Sequence, residues 1–228
     1  MTKVISFCLW GEDPKYCVGA IRNAELAIEL FPDWECWFYM NMDEFKSGGT
    51  WVDDLVDVGD HVKIKLTKDA PDWRLMLNRF QAIQDPLVEV MISRDCDSRL
   101  SLREKAAVDE WLDSDKAFHI MHDHPWHTVP ILGGCWGIKK GLFSELGRHA
   151  IDWAEKHASR WQVDQDFLTE VVWPVVKHDT LNHDEFFRHL WGGKPFPSPR
   201  SGLEFVGQVF DENEITVAEH AQALRQVL

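Results

Sequence analysis

Four short apolar runs in the first hundred residues, separated by segments of helical spacing, constrain the fold more than any other feature of this chain. Residues 3–9 (KVISFCL), 34–40 (WECWFYM), 61–66 (HVKIKL) and 87–93 (LVEVMIS) have strand length and strand composition. Between the first two, Ala20, Ala24, Ala27, Ile28 and Phe31 recur at helical spacing from Pro14 until Pro32 ends the run. Residues 51–58 read as a short helix, and residues 71–83 as another that stops before Asp85-Pro86. Ser101 and Glu104 then form a capping box for a helix reaching Leu112. Strands this apolar are buried on both faces, so the order β-α-β-α-β-α-β-α predicts an α/β fold: a mostly parallel sheet flanked by helices.

Beyond residue 112 the rhythm changes. Residues 117–122 (AFHIMH) predict a strand and 131–140 (ILGGCWGIKK) a glycine-punctuated strand or hairpin. Helices follow over roughly 142–160 and 164–173, the second with Asp164 as N-cap, and VAEHAQALRQVL closes the chain as a helix. No repeat or linker interrupts the sequence, so a single compact domain over residues 1–228 is expected.

Charge narrows the partners. Against 24 Lys and Arg stand 38 Asp and Glu, a formal charge of −14, which opposes a phosphate backbone and argues against nucleic acid. No apolar run reaches the roughly 20 residues of a membrane span, and the N-terminus lacks a secretory h-region, so a cytoplasmic protein is expected. Five cysteines without CxxC spacing suit reduced packing thiols.

Where the fourth apolar run ends, SRDCDSR (93–99) places Asp95 and Asp97 one residue apart between Arg94 and Arg99. Ligands of open α/β sheets bind beyond the carboxyl ends of the strands. Two carboxylates at i and i+2 can aim oxygens at one hard cation such as Mn²⁺ or Mg²⁺, with arginines complementing phosphate oxygens bridged to it.

This arrangement resembles the GT-A fold glycosyltransferases, which use nucleotide-sugar donors and a DxD motif. The similar stretches are SRDCDSR (93–99), GGCWGIKK (133–140), VDQDFL (163–168) and HDEFF (183–187), with PFP-R and FVGQ stretches at 195–200 and 205–208 like those of small phage and bacterial glycosyltransferase-like proteins. The resemblance implies a nucleotide-binding half (1–100) and an acceptor-side half with a closing segment (101–228). Asp95 and Asp97 would hold the metal, with His183 as third ligand and His178 and His189 as other candidates. Asp164, Gln165 and, second to them, Asp166 would be catalytic, either as general base or by stabilising the anomeric centre. Gly133 and Gly134 would form the donor loop. Phe7, Leu9 and Gly11 would lie against the base, Arg79 against ribose or phosphate, and Arg94, Lys194 and Arg200 against the diphosphate. A UDP-hexose donor and a carbohydrate or other hydroxyl acceptor are the expected substrates.

Competing readings are a metal-dependent hydrolase, a haloacid-dehalogenase-type phosphatase, and a carbohydrate- or nucleotide-binding protein of the same fold without activity. HIMHDHPWH (119–127) has the wrong histidine order for an HxHxDH zinc site. The phosphatase places its DxD after the first strand, not the fourth.

Overall fold

A computed structural model describes residues 1–47 and 50–228. The four early runs become strands β1 (Thr2–Cys8), β2 (Trp34–Asn41), β3 (Val62–Thr67) and β4 (Val88–Ser93). Helices α1 (Pro14–Leu30), α2 (Met42–Ser47) and α3 (Thr50–Asp57) connect the first three. The segment expected as a helix over 71–83 is wound as a 3-10 helix, Trp73–Gln84, which Asp72 caps by accepting from the Arg74 N–H at 2.9 Å.

After β4, α4 (Leu102–Asp113) starts on the Ser101 cap, and β5 (Phe118–His122) follows. Residues 131–140 yield only a four-residue strand, β6 (Trp136–Lys139), because the glycines at 133 and 134 lie in the turn before it. Helix α5 (Leu146–Lys156) is shorter than the expected 142–160. Helix α6 (Val163–Phe167) runs through a π-wound stretch, Leu168–Val172, into α7 (Trp173–Val176). Strand β7 (Thr180–Asp184), α8 (Arg188–Trp191) and α9 (Ala218–Arg225) complete the chain.

One seven-stranded sheet has the order β3-β2-β1-β4-β6-β5-β7. Strand β6 is antiparallel to β4 and β5, and every other pair is parallel. Apolar clusters fill both faces. One joins Ile5, Phe7 and Phe38 to α1 and α3; the other joins Phe80, Phe118, Trp136 and Phe167 beneath the 3-10 helix and α5. Central strands β1 and β4 are thus apolar on both sides, and their carboxyl ends open onto one crevice.

Candidate active site

Two buried serines, register partners on β1 and β4, anchor the crevice walls. Ser6 Oγ donates to the Arg79 carbonyl at 2.6 Å and fixes the 3-10 helix. Ser93 Oγ donates to the Gly133 carbonyl at 2.8 Å and fixes the glycine turn.

The acidic turn is held from behind by Asn23 on α1. Its amide nitrogen donates to the carbonyls of Cys96 (3.3 Å) and Ser98 (2.8 Å), while its oxygen accepts the Leu100 N–H at 3.0 Å. Helix and turn approach so closely that a Cβ on Gly19 would stand 2.0 Å from the Cys96 carbonyl oxygen. Cys96 therefore points inward, and Asp95 and Asp97 line the crevice on either side of it.

The crevice has a volume of about 470 Å³ and is lined by Leu9, Trp10, Gly11, Tyr16, Trp73, Arg79, Asp95, Asp97 and Trp161, among others. That is ample for a nucleotide-sized ligand. An adjoining cleft of about 220 Å³ shares Met76, Arg79, Asp95 and Trp161 with it and adds His127, Gly133, Gly134, Asp164 and Gln165. Trp10 and Trp73 meet edge to face at 5.3 Å and supply an aromatic wall.

Two cations neutralise the carboxylates. Arg79, 2 % exposed, donates to Asp95, to Asp164 at 2.9 Å and to the Arg94 carbonyl at 3.2 Å. Lys15 Nζ, from the first turn of α1, lies 2.9 Å from Asp97 Oδ2. Burial, reinforced by Asp95, pushes the Asp97 carboxyl above its usual range despite Lys15. Burial likewise raises Asp164 while Arg79 pulls it down. The paired glycines make room for this cluster. A Cβ on Gly134 would stand 2.3 Å from Asp95 Oδ2, and one on Gly133 would stand 2.8 Å from Arg79 Nη2.

Several expected residues lie elsewhere. Arg94 turns away from Asp95 to the buried Glu104 and the carbonyls of Ser93 and Trp136. Arg99 binds Glu214 and the carbonyls of Cys96 and Ser98. Arg94 and Asp95 leave the strand as successive residues and so point to opposite faces, while Arg99 lies past the turn at 96–97 and is drawn to Glu214. Phe7 stacks on Phe38 in the core, 4.8 Å between centroids, and does not line the crevice, whereas Leu9 and Gly11 do.

His183 is not brought to the acidic pair. It sits on β7, three strands from β4 and so about 14 Å away across the sheet. Its ring is buried, with Nδ1 2.8 Å from His119 and Nε2 3.1 Å from Glu110 of α4. His178 precedes β7, at the opposite end of the sheet, and His189 is exposed on α8. Lys194 pairs with Glu110, and Arg200 with Asp123 at 2.5 Å, so neither lines the crevice.

Around Asp164 the chain also departs from expectation. Gln162 takes the cap position in a left-handed conformation (φ 69°), which puts Asp164 inside the first turn with its carboxylate on Arg79. Gln165 braces the glycine turn: Oε1 accepts the Gly133 N–H at 3.2 Å and Nε2 donates to the Ile131 carbonyl. Asp166 faces outward and pairs with Arg160. His127, one of the loop histidines that the sequence sets near the acidic site, lines the adjoining cleft. Its Nδ1 accepts the Asp123 N–H at 3.1 Å, which leaves the ring hydrogen on Nε2. Burial and neighbouring histidines hold it well below the usual pKa, hence neutral.

Among the described residues, no three or more His, Cys, Asp or Glu side chains converge on one point. Asp95 and Asp97 alone are a hard oxygen pair, which suits a Mg²⁺- or Mn²⁺-type cation whose other positions go to phosphate oxygens and water. The residues thus fit a cation that arrives with a ligand rather than one caged by protein.

No protein-family model and no curated protein matches the chain. Among solved structures it is similar to a glycosyltransferase involved in the glycosylation of the major capsid of PBCV-1, at 16 % identity over 81 % of this chain and 82 % of that one, with a TM-score of 0.51. It is also similar to 4-diphosphocytidyl-2C-methyl-D-erythritol synthase from Anaerococcus prevotii, at 11 % identity over 73 % of this chain and 81 % of that one, with a TM-score of 0.48. The first likeness establishes the fold as GT-A, Rossmann-like, with a mostly parallel sheet flanked by helices. No helix among the described residues is long and apolar enough to cross a membrane.

Proposed function

We propose that the protein is a glycosyltransferase that moves a hexose from a UDP-sugar to a hydroxyl acceptor, with a divalent cation at Asp95 and Asp97. The observation that carries this reading is the continuity of the two cavities through Arg79, Asp95 and Trp161. A nucleotide in the larger one, against Trp10 and Trp73, would direct its diphosphate to the acidic pair and its sugar to Asp164.

Charge supports the cation. Glu12, Asp13, Asp95, Asp97 and Asp164 line the joined cavity, against the two cations Lys15 and Arg79. A diphosphate would be repelled there unless a divalent ion reversed the local potential. When bound, the ion supplies Lewis-acid stabilisation of the departing phosphate. Arg79, fixed by three partners, is a preorganised positive charge beside that leaving group. Asp164 is the carboxylate placed to take the acceptor's proton, and its raised pKa makes it a stronger base than an exposed aspartate. His127 offers an Nε2–H to orient an acceptor or donor hydroxyl.

The test is a screen of UDP-, GDP- and CMP-sugars by released nucleotide, with and without Mn²⁺, repeated with Asp97→Ala. Mn²⁺-dependent release from a UDP-sugar, lost in the variant, is the expected result. Turnover unchanged in Asp97→Ala refutes the site, and sugar binding without nucleotide dependence favours a binding protein of the same fold.

A further inference from the structure

We infer that Lys15 is an internal counter-ion that competes with the divalent cation for Asp97 and, once displaced, binds the donor's phosphate. This rests on the reading of Asp95 and Asp97 as a cation site. The two carboxylates are paired very differently. Arg79 is wedged in place at 2 % exposure, with Asp95, Asp164 and a backbone carbonyl as partners. Lys15 is 28 % exposed and its ammonium donates to Asp97, itself 15 % exposed. Its flexible stem lies along Tyr16, with Nζ 4.3 Å from the ring centroid.

A cation approaching this pair meets one partner that cannot leave and one that can. Asp95 keeps Arg79, and Asp97 exchanges Lys15 for the ion. The released ammonium is still tethered to the first turn of a 17-residue helix, whose dipole favours anions at that end. Both steps follow from charge: the ion frees Lys15 only by taking its carboxylate, and the arriving phosphate replaces that carboxylate as its partner. Metal binding alone is therefore weakened by Lys15, and nucleotide binding in the presence of metal is strengthened by it.

The experiment compares the intact wild-type protein with Lys15→Met, Lys15→Arg and, as a remote charge control, Lys177→Met. Mn²⁺ binding without nucleotide is followed by electron paramagnetic resonance. Binding of UDP, GDP and CDP in turn at saturating Mn²⁺ is followed by calorimetry. Lys15→Met is expected to tighten Mn²⁺ about three- to tenfold, as removal of one partly exposed ionic partner predicts, and to weaken the preferred nucleotide by a similar factor. Lys15→Arg and Lys177→Met should stay near wild type. Since Lys15 is partly exposed, its loss should leave the melting temperature within about 2 °C.

If wild type binds nucleotide only with Mn²⁺ but Lys15→Met alters neither affinity, the role of Lys15 is refuted and the cation site stands. Parallel weakening of Mn²⁺ and nucleotide would make Lys15 a structural support and also refute the exchange. If neither wild type nor Lys15→Met binds Mn²⁺, the cation site and the inference fall together.

Discussion

Removing Arg79 is the perturbation whose outcome depends most directly on the geometry of the site. In Arg79→Met, Asp164, its side chain 5 % exposed, loses the one ionic partner it has among the described residues and becomes an uncompensated buried charge. Breaking a buried pair from one side costs about 3–5 kcal/mol. The contact to Asp95, 40 % exposed, adds no more than about 1 kcal/mol because solvent screens it. At about 2–4 °C per kcal/mol for a chain of this length, the melting temperature should fall by roughly 6–24 °C. The sign of the pH dependence follows from Asp164. Burial already raises its folded-state pKa above the ordinary 3.8, and Arg79 opposes that rise. Without Arg79 the folded pKa climbs further while the unfolded value does not move. The folded state then holds the extra proton between the two values, so stability is gained as pH falls through the folded pKa. Guanidinium denaturation should show a larger deficit at about pH 8 than at about pH 5, and Arg79→Met with Asp164→Asn should lose that pH dependence and recover much of the stability. A deficit below about 1 kcal/mol, or one equal at both pH values, would refute the buried pairing.

Two further substitutions separate site from scaffold. Gly134→Ala places a Cβ 2.9 Å from the Asp95 backbone nitrogen as well as against its carboxylate, a clash no side-chain rotation relieves. It should cost about 1–3 kcal/mol and weaken Mn²⁺-dependent nucleotide binding in a titration. His183→Gln, which breaks the buried contacts to His119 and Glu110, should cost about 1–3 kcal/mol in chemical denaturation and leave Mn²⁺ affinity unchanged. A tenfold loss of Mn²⁺ affinity there would return His183 to the metal site.

The strands were legible because period and length are local properties: 3–9, 34–40, 61–66 and 87–93 fall within a residue or two of β1 to β4. The acidic pair was legible for the same reason, since the end of an apolar run marks the end of a strand. What surrounds the pair was not, because its partners come from other elements. Arg79 was named only as a loose contact, and Lys15, Asn23 and Ser6 were not named. Each reaches the site across a sequence distance that no spacing rule measures. Arg94 and Arg99 show the converse: close in sequence, they face away, Arg94 because it alternates with Asp95 at the strand end and Arg99 because the turn at 96–97 carries it to Glu214. His183 was sought for its chemistry, but its place on the far edge strand, facing α4, depends on a strand order that the sequence alone does not specify.

Asp164 carries the same lesson to the level of function. Read as an N-cap, it would spend its oxygens on helix N–H groups at the surface. With Gln162 in the left-handed region two residues earlier, the helix begins sooner, and the carboxylate is carried inward to Arg79. Arg79 then links Asp164 to Asp95 and so joins the cleft's carboxylate to the crevice's acidic pair through one buried guanidinium. Without such internal cations, carboxylates this close would hold one another's pKa higher still. The same balance bears on the proposed exchange: a cation taking Asp97 would have to displace Lys15, the more exposed of the two internal cations.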